Sequence, residues 1–179
     1  MIAHDELGVL FLCMGNICRS PLAEGAFRAA LSSAAPGTAA AALADLEREG
    51  RLRIDSAGTG GWHAGEPPDP RSIRVAKEHG VDISGQRARQ LTLEDFGRFD
   101  WIVAMDEDNL AQAERRRPPG SRARLVQFVD FVPAGDGSKR PDRVPDPYYG
   151  ELSGFTEVWR LLQRGMGPLV EAMSRGRHP

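Results

Sequence analysis

Apolar and polar residues alternate along this chain with two different periods, and the switches between them mark out its elements. Residues 8–12 (GVLFL) are apolar without interruption, which predicts a short strand buried on both faces and ending at Cys13. Pro21 opens the segment LAEGAFRAAL, whose spacing predicts a helix entered at its first turn. Residues 51–56 alternate as a strand, and residues 58–68 form a Gly/Pro-rich loop. Asp69 and Pro70 then read as the cap and first turn of a helix running to His79 and closed by Gly80. Residues 99–105 give a further strand, Asp106 a helix cap, and residues 124–128 a weaker strand before a loop ending at Gly150. A last helix is expected from about Ser153. Residues 33–50 are Ala-rich with one Pro and two Gly, a composition compatible with a helix or with a mobile insertion. Strands separated by helical segments predict an α/β fold, a parallel sheet with helices on both faces, whose ligands bind at the carboxyl ends of the strands. There is no internal repeat.

Composition narrows the field. A chain of 179 residues, 41% of them hydrophobic, is enough for one core and suggests a single domain over 1–179. With 23 basic and 25 acidic residues the net charge is -2, so no global field selects nucleic acid or an anionic membrane, and any anion specificity is local. The N-terminal stretch carries no basic leader, and its apolar run is too short for a signal peptide or a span, so a cytoplasmic protein is expected. Cys13 and Cys18 are the only cysteines, which leaves no disulfide framework and makes thiol reactivity the question.

The segment CMGNICRSP, from Cys13 to Pro21, sits between the first strand and the first helix. Folded there, its successive backbone N–H groups at Met14, Gly15, Asn16, Ile17 and Cys18 would form a nest closing onto a helix N-terminus, a cradle for a tetrahedral oxyanion such as phosphate. Gly15 allows unusual backbone angles in the loop. The same positive potential, with Arg19 nearby, favours Cys13 as a thiolate, the nucleophilic form. Arg19 can grip two equatorial phosphate oxygens with its planar fork, which a lysine cannot do. Ser20 would bring a hydroxyl to the sulfur and assist its departure from a phosphorylated intermediate. A cysteine at a strand end is commonly a small buried hydrophobe. The coincidence of Gly15, Asn16, Ser20, Pro21 and the preceding apolar strand sets Cys13 apart from that case. For Cys18, packing and a reversible protective disulfide with Cys13 both remain open. A thioredoxin-like pair is discounted because four residues, not two, separate the cysteines.

VLFLCMGNICRSPLAEG resembles the phosphate loop of the low-molecular-weight protein tyrosine phosphatase family. The resemblance extends to SAGTGGWHAGEPPDPRS, VAMDEDN and DPYYG, in the family's order, and covers most of the chain outside two insertions near 34–47 and 133–145. It implies a four-stranded parallel sheet flanked by helices, the phosphotyrosine protein phosphatase I-like fold. It also implies Cys13 as nucleophile, Arg19 as phosphate binder and the aspartate of DPYYG, Asp146, as general acid, with no metal and no cofactor. An aspartate in that role has a rationale, since a phenolate is a strongly basic leaving group and departs faster when protonated. Pro147 would stiffen the loop that carries it. Tyr148 and Tyr149, the chain's two tyrosines, suit a wall for a phenyl ring, and Trp62 resembles the family's second wall, with His63 beside it. By the same resemblance Ser56 and His79 support Asn16 in its strained conformation. Tyrosine-phosphorylated proteins or small aryl phosphates are the implied partners.

Met14 stands where leucine is usual in the family, an apolar exchange at a position where the backbone does the binding. Arsenate reductases share the fold and the Cys-to-Arg loop but need additional cysteines. Relatives acting on phosphoarginine carry threonine where Ile17 stands, and the paired tyrosines favour an aromatic substrate. A protein-arginine phosphatase is therefore the enzymatic alternative, and a non-catalytic phosphotyrosine-binding module the alternative from another class.

Overall fold

The computed structural model describes residues 6–135 and 139–176. Four strands, β1 (Leu7–Cys13), β2 (Leu52–Gly58), β3 (Trp101–Ala104) and β4 (Arg124–Gln127), form one sheet in the order β2-β1-β3-β4. All three pairings are parallel, as the alternation of strands and helices predicts. The helices are α1 (Arg19–Ser32), α2 (Ala39–Arg48), α3 (Pro70–Glu78), α4 (Asp95–Arg98), α5 (Glu107–Arg116) and α6 (Leu152–Arg175). No helix among the described residues is long and apolar enough to cross a membrane.

Both faces of the sheet are covered, which is why β1 reads as an unbroken apolar run. Val9, Phe11 and Cys13 point into the larger core with Phe27 of α1 and Phe155, Trp159 and Leu162 of α6. Leu10 and Leu12 point the other way, against Phe96, Phe99, Ile102 and Ala113. Every residue of β1 is buried.

Several expectations shift when the chain folds. Residues 33–50 contain a helix: Thr38 caps α2 by accepting a hydrogen bond from the Ala41 N–H, and Leu43 and Leu46 are buried in the larger core beside α6. The third strand starts at Trp101, not at residue 99, and just before it the Asp100 carboxylate accepts from the Gly8 N–H of the neighbouring strand β1. The fourth strand stops at Gln127, where Phe128–Phe131 turns as a 3-10 helix. The short helix α4 has no counterpart in the sequence reading. Asp69, Pro70 and Gly80 act as expected: the Asp69 side chain accepts from the Arg71 N–H, and Gly80 adopts φ 77° after α3. In the segment 133–145, residues 136–138 lie outside the described residues, whereas Val144 is fully buried.

Candidate active site

The carboxyl ends of β1, β2 and β3 converge, and the loop from Cys13 to Ser20 crosses above them. Cys13, the last residue of β1, pairs with Gly58, the last of β2. The Thr59 N–H donates to the Cys13 carbonyl and the Gly60 N–H to the Met14 carbonyl, so the loop is stitched onto the end of β2. A Cβ at Gly58 would stand 2.7 Å from the Met14 carbonyl oxygen; only glycine permits this approach.

Asn16 holds the loop's shape. It has φ 57°, the one non-glycine left-handed residue among the described residues. The unusual backbone angle expected of Gly15 thus belongs to Asn16, while Gly15 leaves room for the His63 ring, whose Cδ2 would be 3.1 Å from a Cβ there. The Asn16 side chain is buried and fully engaged. Its Nδ2 donates to Ser20 Oγ (2.9 Å) and Ser56 Oγ (3.0 Å), and its Oδ1 accepts from the Arg89 N–H (2.9 Å). Ser56 in turn donates to Glu24 Oε2 at 2.9 Å. Burial raises the Glu24 pKa, against the opposing pull of Ser56 and Arg28. Ser20 Oγ lies 3.0 Å from Cys13 Sγ.

Arg19 is 2% exposed, and its guanidinium faces the same space. One nitrogen donates to Asp106 Oδ2 at 2.5 Å and to the Val144 carbonyl at 3.1 Å, and the other lies 3.6 Å from Asp146 Oδ2. Burial alone would depress its pKa, but Cys13, Asp106 and Asp146 together raise it above the ordinary arginine value. Cys18 is buried differently: desolvation, then Asp69 and Cys13, push its thiol pKa far above the usual range.

These groups enclose a cavity of about 350 Å³ lined by Cys13, Met14, Gly15, Ile17, Cys18, Arg19, Trp62, His63, Asp146, Tyr148 and Tyr149. Its mouth is aromatic and open, with Trp62 72% and Tyr149 97% exposed and the two tyrosine rings edge to face at 4.9 Å. An anion held at the floor by Arg19 and the backbone nest would have a thiol below it, a carboxyl group beside it and a slot for a flat ring above it.

The match to known proteins follows the same outline. The family model described as low molecular weight phosphotyrosine protein phosphatase matches residues 8–178. A low molecular weight phosphotyrosine protein phosphatase of Schizosaccharomyces pombe is 41% identical over 158 residues, 88% of this chain and 90% of its own length. The chain belongs to the low molecular weight phosphotyrosine protein phosphatase family. The low molecular weight protein-tyrosine-phosphatase YfkJ of Bacillus subtilis is 35% identical over 94% of this chain and 97% of its own, and its crystal structure superposes with a TM-score of 0.75. A protein tyrosine phosphatase of Entamoeba histolytica, solved with Hepes in its active site, superposes with a TM-score of 0.79 at 30% identity, covering 97% of this chain and 100% of that one.

Within this phosphatase fold, eleven of the residues singled out from sequence line one cavity, and Asn16, Ser20 and Ser56 stand behind it as a hydrogen-bonded chain. His79 stands elsewhere. Its Nδ1 bonds to the Val75 carbonyl at 2.9 Å, its ring lies 5.0 Å from that of Trp159, and it faces a second cavity. That cavity is larger, about 880 Å³ between α1, the end of α3 and the middle of α6, but reaches none of Cys13, Arg19 and Asp146. The partner that Asn16 takes beside Ser20 and Ser56 is the Arg89 backbone. Arg89 is fixed in turn by salt bridges to Asp55 and Asp95. Sequence reasoning missed Arg89, and it read Asp106 only as a helix cap. Asp106 is one, accepting from the Asn109 N–H at 2.7 Å through Oδ1, and its second oxygen holds Arg19.

Proposed function

We propose that this chain is a protein-tyrosine-phosphatase that hydrolyses phosphotyrosine monoesters through a cysteinyl-phosphate intermediate. The observation that carries the reading is the convergence of Cys13, Arg19 and Asp146 on one cavity with an aromatic mouth. Cys13 attacks the phosphorus as a thiolate, forming the S–P bond as the P–O bond to the tyrosine breaks. Asp146 gives its proton to the leaving phenolate oxygen, a contribution worth roughly 10² to 10⁴ in rate. Arg19 and the loop N–H groups hold the equatorial oxygens while charge spreads over them. In the second step Asp146 takes a proton from the attacking water, phosphate leaves, and the Ser20 hydroxyl donates to the departing Cys13 sulfur.

Trp62, Tyr148 and Tyr149 favour an aryl group at the mouth, on a tyrosine-phosphorylated protein or a small aryl phosphate. A cytoplasmic setting fits the free thiols at Cys13 and Cys18. The stretches 34–47 and 133–145 are then insertions on a single domain, and the second leads directly into Asp146.

The deciding experiment is phosphate release from phosphotyrosine, phosphoarginine and phosphoserine peptides, with chelator present, for wild type, Cys13→Ser and Asp146→Asn. Selective release from phosphotyrosine that Cys13→Ser abolishes is expected. Preference for phosphoarginine would reassign the substrate, and tight binding of phosphotyrosine without release would make the chain a binding module.

A further inference from the structure

The first turn of α3 stands between the two loops that must meet for the proposed reaction. On one side it grips the phosphate loop: the Asp69 N–H donates to the Ile17 carbonyl at 2.7 Å and Ser72 Oγ to the Cys18 carbonyl at 3.3 Å. On the other it reaches the loop carrying Asp146, through one side chain. Arg71 Nη1 donates to the Gly150 carbonyl at 2.8 Å and Nη2 to the Tyr148 carbonyl at 3.0 Å. The same guanidinium is oriented by Asp69, receiving Nε at 2.9 Å and Nη2 at 2.7 Å, and it lies 4.4 Å over the Phe155 ring at the start of α6. Among the described residues, the other backbone hydrogen bonds within 146–150 stay inside that loop, from the Tyr148 N–H to Asp146 Oδ1 and from the Gly150 N–H to the Pro147 carbonyl.

We propose that Arg71 is the positioning residue for the Asp146 loop, fastening it to the phosphate loop through α3 and thereby setting where the Asp146 carboxyl stands relative to Cys13. Asp146 is two residues from Tyr148 and bonded to its N–H, so holding the Tyr148 carbonyl constrains the Asx turn that aims the carboxyl group. It also holds the Tyr148 ring at the wall of the cavity. The planar fork is needed because one group must satisfy a carboxylate and two carbonyls at once, which a lysine ammonium cannot do in the same geometry. Arg71 does not line the cavity and touches no reacting atom. The inference rests on Asp146 acting as the general acid.

The test uses the full chain and a series of aryl phosphates whose phenols run from weakly to strongly basic. Arg71→Met is expected to lower kcat/KM, which reports formation of the cysteinyl-phosphate and not its hydrolysis, by about 10-fold to 100-fold for the most basic leaving group, the scale of an ångström's misplacement of a reacting group. It should change p-nitrophenyl phosphate little and leave the inhibition constant of inorganic phosphate within about twofold. Arg71→Lys should fall between, and in an Asp146→Asn background Arg71→Met should cost nothing further. An equal loss across the series, or a full additional loss in the Asp146→Asn background, overturns the positioning role. If Asp146→Asn itself shows no leaving-group dependence, the acid assignment fails, and with it the basis for this one. Dependence in Asp146→Asn without any in Arg71→Met overturns the Arg71 inference alone. Should Arg71→Met not fold, Arg71→Lys carries the same comparison.

Discussion

Replacing Asn16 tests whether the phosphate loop is held by its side-chain network or merely by the ends of β1 and α1. Asn16→Ala removes two donated bonds and one accepted bond, all in a residue 2% exposed. Buried hydrogen bonds contribute about 1 kcal/mol each net, and the stranded Arg89 N–H moves its share towards the upper end of about 1 to 3 kcal/mol. Alanine must also adopt φ 57°, which costs about 1 to 2 kcal/mol more. The expected loss is about 5 to 7 kcal/mol, enough to consume much of a small domain's stability. Asn16→Gly loses the same bonds without the left-handed strain, so it should be the milder variant despite its greater unfolded-state entropy. Urea unfolding gives both values, and phosphate inhibition gives the condition of the cradle in whatever remains folded. A loss below about 1 kcal/mol for Asn16→Ala, or a glycine variant no milder than alanine, would refute the account of Asn16 as the strained keystone of the loop.

Other consequences are as direct. Asp106→Asn keeps one acceptor oxygen to cap α5 but leaves the buried Arg19 facing an amide NH2 in place of a carboxylate, so kcat/KM should fall about 10-fold to 100-fold and the melting temperature should fall with it. Unchanged kcat/KM would show that Arg19 needs no such orientation. Iodoacetamide at neutral pH should alkylate Cys13 and spare Cys18, whose buried thiol stays protonated; peptide fragmentation spectra locate the adduct. Equally fast alkylation in Cys13→Ser would contradict this. The raised pKa of Glu24 means that its contribution to stability is complete below about 4.5 and declines as pH rises through the folded-state value. Glu24→Gln, which can still accept from Ser56, should therefore gain on wild type in unfolding experiments between about pH 4 and about pH 8, and a constant gap across that range would remove the assignment.

What the sequence made legible is what depends on local order. A strand buried on both faces is apolar at every position, so β1 announces itself, and Asp69, Pro70 and Gly80 mark α3 by capping chemistry that acts within a few residues. The loop from Cys13 to Ser20 is legible for the same reason, its parts being consecutive. The helix α2 is hidden because alanine hardly distinguishes a packed helix from a mobile stretch; the usable signals were Thr38 as a cap and Leu43 and Leu46 three apart on one face.

The support of the site is not local, and there the sequence is nearly silent. Parallel pairing sets Cys13 against Gly58 and Leu12 against Ala104, so the residues just beyond these strand ends, Asp106 among them, arrive beside Arg19 from 87 positions away. Arg89 reaches Asn16 through its backbone N–H, a group every residue but proline owns, and no residue type can advertise it. The cap of α3 at His79 shows the converse. A histidine at that place suggests a side-chain role, yet the helix turns it onto Val75 and Trp159 while the backbone at Arg89 serves Asn16. Residues that do chemistry must be particular residues and so leave a trace in sequence, whereas those that hold them can act through any N–H or carbonyl that the register of the sheet brings within reach.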